Sequence, residues 1–171
     1  MMSMAERIRQ AISYSEAGFA IFKLKGKKPI AKQWQNSKYL MPDEVEDYLE
    51  GWDGNFGVVL SDQDLVIDID PRNFGCKACS QIKKLCECKK FIKDDPHVRL
   101  AKDTGIRFKD YGAVVETGGG GLHIYMRLPK NVRIKERLKK IYGLGIEFKS
   151  KGRYVVGVFL HTPRNRETIC T

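Results

Sequence analysis

The segment Leu65-Val66-Ile67-Asp68-Ile69-Asp70 constrains the fold of this chain most. It alternates with a period of two, so as a strand it places Leu65, Ile67 and Ile69 on one face and Val66, Asp68 and Asp70 on the other. An apolar face of this kind must be covered. Two carboxylates side by side on the opposite face repel each other, and a metal cation would relieve that repulsion. A solvent-facing strand end accommodates the same two acids, and the segment by itself does not choose between the readings.

Other stretches repeat the alternation. Phe19 to Leu24, Phe56 to Leu60, Gly112 to Thr117, Leu122 to Leu128, Leu144 to Phe148 and Tyr154 to Phe159 read as strands. The turn Ser61-Asp62-Gln63-Asp64 predicts a hairpin of its flanking strands, and the last two strands are expected to pair with each other. Helices are expected near the N-terminus, where Ser3 and Glu6 have capping-box spacing and Gly18 ends the run, and from Pro42 to about Trp52. A basic segment, Lys130 to Gly143, predicts a third. The order of elements is that of a single α+β domain over residues 1–171 with a mixed or antiparallel sheet.

The stretch 71–109 is different. It is rich in Lys, Cys and Asp, lacks regular apolar alternation, and reads as an insertion rather than core. Of the five cysteines in the chain, Cys76, Cys79, Cys86 and Cys88 fall within it. No signal-peptide pattern opens the chain and no apolar run reaches the ~20 residues of a membrane helix, so an intracellular, cytoplasmic protein without a membrane partner is expected. Clustered cysteines there read as zinc ligands in a small structural knuckle, or as free thiols.

The net charge of +10 favours a polyanionic partner, although a basic surface also serves solubility. Five lysines lie between Lys23 and Lys32. They form either a solvated turn or a contact for a nucleic-acid backbone or triphosphate. Trp34 beside them suits base stacking or the core. Four consecutive glycines, Gly118 to Gly121, let a backbone approach a ligand closely and present amides to phosphate oxygens. The following strand puts His123, Tyr125 and Arg127 on one face. Near the end, Glu147 and Lys149 share a face, either as a surface ion pair or as a metal ligand and a phosphate clamp.

Taken in order, these pieces resemble the primase–polymerase (prim-pol) domains of the archaeo-eukaryotic primase superfamily. The likeness rests on Lys27-Lys28-Pro29 with Trp34, Asp68-Ile69-Asp70, Gly120-Gly121-Leu122-His123 with Tyr125, and Glu147 and Lys149 followed by Gly152, Tyr154, Val155 and Val156. It runs from about residue 15 to 161. The chain departs from the family pattern at Glu147, where many relatives have Asp, at Gly119, where many have Ser, and at Gly157 to Leu160, which replace a Pro- and Ser-containing run before His161.

The resemblance implies an RRM-like sheet joined to a small α/β subdomain, with the active site in the cleft between them. It implies that Asp68, Asp70 and Glu147 are catalytic and hold Mg²⁺ or Mn²⁺, and that His123, Gly120, Gly121, Lys149 and His161 bind the nucleotide. Lys27, Lys28 and Trp34 are then nucleic-acid contacts. The implied activity is template-dependent nucleotidyl transfer by a two-metal mechanism, using single-stranded DNA template and nucleoside triphosphates, in replication or priming by a plasmid, phage or other mobile element. Chains of this type often carry a helicase domain in the full-length protein. Competing readings are a non-catalytic nucleic-acid-binding replication module and a metal-dependent nuclease.

Overall fold

A computed structural model describes residues 3–70, 96–134 and 145–157. The chain begins with α1 (Met4–Glu16), whose start is fixed by a reciprocal cap. The Glu6 amide donates to Ser3 Oγ at 3.2 Å and the Ser3 amide donates to Glu6 Oε2 at 2.8 Å. Gly18, at φ +80°, turns the chain out of the helix. Strands β1 (Ile21–Lys25) and β2 (Lys28–Pro29) follow, then a short 3-10 turn at Trp34–Asn36.

Next comes α2 (Pro42–Leu49), with Pro42 in its first turn and the Glu44 carboxylate accepting from the Met41 amide at 2.6 Å. This helix stops short of the expected Trp52. Glu50 is extended and Gly51 takes φ +67°, which turns Trp52 back so that its indole N–H donates to the Asn55 carbonyl at 3.0 Å.

The remaining elements are β3 (Asn55–Val59), β4 (Asp64–Ile69), α3 (Pro96–Thr104), a 3-10 turn at Phe108–Asp110, β5 (Ala113–Glu116), β6 (Leu122–Arg127), β7 (Ile146–Lys149) and β8 (Tyr154–Val156). They make an α+β fold with two four-stranded sheets, ordered β2-β1-β3-β8 and β5-β6-β4-β7, in which the pairings are antiparallel.

Two expected pairings are corrected. β3 and β4 do not form a hairpin: β3 lies between β1 and β8, whereas β4 lies between β6 and β7 in the other sheet. The turn between them is closed by Asp64, whose Oδ2 accepts from the Ser61 amide at 2.9 Å and the Ser61 hydroxyl at 2.7 Å. That local closure frees both edges of β4 for other partners. Likewise β7 and β8 do not pair with each other; β7 joins β4 and β8 joins β3. The turn 150–153 therefore carries the chain from one sheet to the other. The β5–β6 hairpin forms as expected.

The two sheets share a core. Ala11 and Tyr14 of α1 and Val45 and Leu49 of α2 pack with Phe56, Val58 and Val155 of the first sheet and with Val66, Val115 and Tyr125 of the second. The Tyr14 and Tyr125 hydroxyls meet at 3.1 Å inside it. The opposite face of the second sheet buries Leu65, Ile67, Ile69, Ile124 and Ile146 together with Leu100 of α3. The described end of the stretch 71–109 thus contributes to the core, because α3 covers an apolar sheet face that water would otherwise reach. The four cysteines lie outside the described residues, as do most of the expected basic helix and His161. Among the described residues no helix is long and apolar enough to cross a membrane.

Candidate active site

β4 positions the site because it is flanked on both sides. Its register sets Asp68 opposite His123 on β6 and opposite Glu147 on β7. Residues opposite one another in antiparallel strands project to the same face. Three polar side chains from separate parts of the sequence are therefore brought together by pairing alone, with Lys149 two residues further along β7.

The contacts follow from that register. Lys149 Nζ donates to Asp68 Oδ2 at 2.5 Å and stands 3.8 Å from Glu147 Oε2. His123 Nε2 is 3.5 Å from Asp68 Oδ1. One carboxylate thus faces an ammonium on one side and an imidazole on the other. The Asp68 and Lys149 side chains are each about one-fifth exposed (19% and 22%), so the pair is shielded from water but reachable from it.

His123 is buried, although its strand face reads as polar in the sequence. Burial holds its pKa down, to about 4; Asp68 opposes this, while Lys149 and Lys27 reinforce it. The imidazole is neutral at physiological pH, and its Nδ1 has no hydrogen-bond partner among the described residues. Tyr125, on the same face, is buried as well, and that burial raises its pKa.

The glycine turn closes the end of β4. A Cβ on Gly121 would stand 2.5 Å from the Ile69 carbonyl oxygen, so only glycine permits this approach. Gly120 takes φ +78°. The Gly120 amide donates to the Thr117 carbonyl at 2.9 Å, and the Gly121 amide donates to Thr117 Oγ1 at 3.0 Å. These two amides hold the turn in shape.

The acids fit a hard divalent cation in one respect: Asp68 and Glu147 already share a cation, the Lys149 ammonium. Asp70 lies one residue past the end of β4, with its amide donating to the Gly145 carbonyl at 2.8 Å. Among the described residues, no group of three or more His, Cys, Asp or Glu side chains is arranged to hold a metal.

Lys27, Lys28 and Trp34 belong to the first sheet and its connection. Trp34 stacks on Phe22, with centroids 5.3 Å apart and planes at 24°, and meets the Tyr154 ring edge-on at 4.8 Å. The sequence gives Tyr154 and Asn55 no role, yet both reach across this sheet to the Lys27 turn. A cavity of about 490 Å³ lies against Ile69, Leu100, Phe108 and Ile124, on the apolar face of the second sheet and away from the acids.

No curated protein matches the chain. A family model does, that of the N-terminal domain of bifunctional DNA primase/polymerases, over residues 11–168. That span takes in both sheets, the paired acid-bearing strands and the glycine turn, and by it the chain belongs to the bifunctional DNA primase/polymerase N-terminal family.

Proposed function

We propose that this domain joins nucleotides on a single-stranded DNA template, with Asp68, Asp70 and Glu147 holding Mg²⁺ or Mn²⁺. Family membership carries the general activity, nucleotidyl transfer of the primase/polymerase kind. The finer reading is supported chiefly by one observation: Asp68 and Glu147 stand opposite each other across β4 and β7, with Lys149 reaching both. In this proposal the second sheet is the RRM-like unit, the first sheet with α1 and α2 is the small α/β subdomain, and the cleft is the join between them.

Bound divalent ions supply activation of the primer 3′-hydroxyl and charge stabilisation of the leaving pyrophosphate. The protein supplies position and charge. With divalent ions held by Asp68 and Glu147, the Lys149 ammonium would no longer be needed by those carboxylates and could meet a phosphate oxygen. His123, neutral beside Asp68, has a single N–H; turned from the Asp68 carboxylate to a phosphate oxygen it would donate that hydrogen without adding a positive charge. The glycine turn keeps side chains away from the end of β4. A role in replication or priming of a plasmid, phage or other mobile element, with a helicase domain in a longer chain, belongs to the same proposal, as does zinc at the four cysteines.

The test is incorporation. The protein is incubated with Mg²⁺ or Mn²⁺, a single-stranded template and labelled nucleotides, with and without a primer. Labelled products that depend on template support the reading. Tight template binding without product under either metal would instead support a binding module, and loss of the strand without added nucleotides would support a nuclease.

A further inference from the structure

The apolar face of β4 does not end in solid packing. At Ile69, the last residue of the strand, the second sheet, α3 and the 3-10 turn Phe108–Asp110 leave a cavity of about 490 Å³. Its apolar lining is Ile69 and Ile124 from the sheet, Leu100 from α3 and Phe108 from the turn. Lys102, Arg107 and Lys109 also line it, and all three are exposed. The described lining holds no acidic side chain.

The local sequence explains this mixture. Gly105, at φ +72°, ends α3 and turns the chain back along the sheet. In Arg107-Phe108-Lys109 the aromatic residue turns inward onto the buried cluster of the second sheet, and the basic residues on either side stay in water. Arg107 meets Asp110 at 3.5 Å, but both side chains are mostly exposed, and such a pair holds its members weakly. Val98, which also lines the cavity, is exposed as well. Open apolar surface with a charged border marks an interaction site, and here the border has one sign.

We infer that this cavity and its cationic rim bind single-stranded template DNA, with one unpaired base against Phe108 and neighbouring phosphates on Lys102, Arg107 and Lys109. The volume lies within the roughly 300–1,000 Å³ of pockets that hold a small ligand, which suits one base with its sugar. A flat apolar base joined to anionic phosphates matches an apolar floor with cations at its edge. A base paired in a duplex cannot enter such a cavity without being unstacked, so the complementary form of DNA is a single strand. Ile69 is followed directly by Asp70, so the cavity begins beside the end of β4. A strand leaving the acids reaches it by passing around that end, not through the sheet. The inference rests on the template-directed reading above and adds to it a surface on the opposite side of β4.

The experiment measures binding of a fluorescent oligothymidine, and of an abasic strand of the same length, to the full chain over a series of salt concentrations. Arg107→Ala combined with Lys109→Ala is expected to weaken oligothymidine about ten-fold at low salt. It should also flatten the slope of log affinity against log salt by about 1.4, the value for two lost phosphate contacts on a single strand. Lys38→Ala combined with Lys130→Ala removes the same charge from exposed positions outside the lining and should change affinity less than about two-fold. Ala101→Leu fills part of the cavity from α3 and should weaken oligothymidine about five-fold while leaving the abasic strand unchanged. Its urea midpoint, read on the same preparation, shows that the variant is folded. In primer extension the Arg107 and Lys109 double variant raises the KM for template and keeps kcat at saturating template.

Equal losses in the Lys38 and Lys130 double variant would overturn the inference, because net charge alone would then explain the binding. So would an Ala101→Leu protein that loses abasic strand and oligothymidine alike, since no base would be entering the cavity. A wild-type chain that extends primers, with the Arg107 and Lys109 double variant unchanged in binding, would overturn this inference alone. A wild-type chain that binds oligothymidine with the expected losses, yet makes no product under either metal, would overturn the nucleotidyl-transfer reading and support the single-strand surface.

Discussion

The two faces of β4 differ although they are built from alternate residues of one short segment. Leu65, Ile67 and Ile69 face a purely apolar layer completed by Ile124, Ile146 and Leu100. The opposite face is graded: Val66 lies in the shared core beside Tyr125, and Asp68 two residues later meets His123, Glu147 and Lys149. The apolar face gives the strand its stability and its register. The graded face spends that register on chemistry, because Asp68 is opposite His123 and Glu147 only if the strand does not slip by a residue. Polar groups with an unpartnered ring nitrogen are tolerated there because the other face over-determines the pairing.

Several substitutions would break or sharpen this contrast. The largest effect on stability is expected on the apolar face. Ile67→Ala, at a fully buried position, should cost about 2–5 kcal/mol in urea unfolding while leaving the rate of synthesis per folded molecule close to wild type. Gly121→Ala strikes where the faces meet, since its Cβ would collide with the Ile69 carbonyl. It should cost about 1–3 kcal/mol and also lower synthesis, read by denaturation and primer extension on the same preparation. Tyr14→Phe leaves the buried Tyr125 hydroxyl without its partner and should cost about 1 kcal/mol by the same unfolding measurement. Arg107→Ala removes an exposed pair with Asp110 outside both faces and should change stability by less than about 0.5 kcal/mol in thermal unfolding.

Much of this contrast is legible in the sequence, and the limits have physical reasons. The period of two assigns every residue of β4 to its observed face, because alternation is a property of the strand itself. The same holds for His123 with Tyr125 and for Glu147 with Lys149. Which strands pair is another matter. Ser61 to Asp64 has the composition of a hairpin turn, but Asp64 closes it locally and sends β4 to the other sheet. Nothing within either segment records that choice, which depends on β6 and β7 far along the chain. Burial misleads in the same way. His123 reads as a residue on a polar face, yet α1 and the first sheet cover that face. The hydrogen bonds of Tyr154 and Asn55 are not legible in the sequence, where Tyr154 enters only as part of the family pattern, because their partners are backbone carbonyls, which any residue could supply.

The account turns on Asp68 serving chemistry rather than the fold, and one paired measurement tests this. Asp68→Asn preserves the shape of the side chain and its place opposite His123 and Glu147. Primer extension with Mn²⁺ should fall at least about a hundred-fold in this variant, while its urea midpoint stays near that of wild type. Extension that persists at the wild-type rate in a folded Asp68→Asn protein would contradict the account.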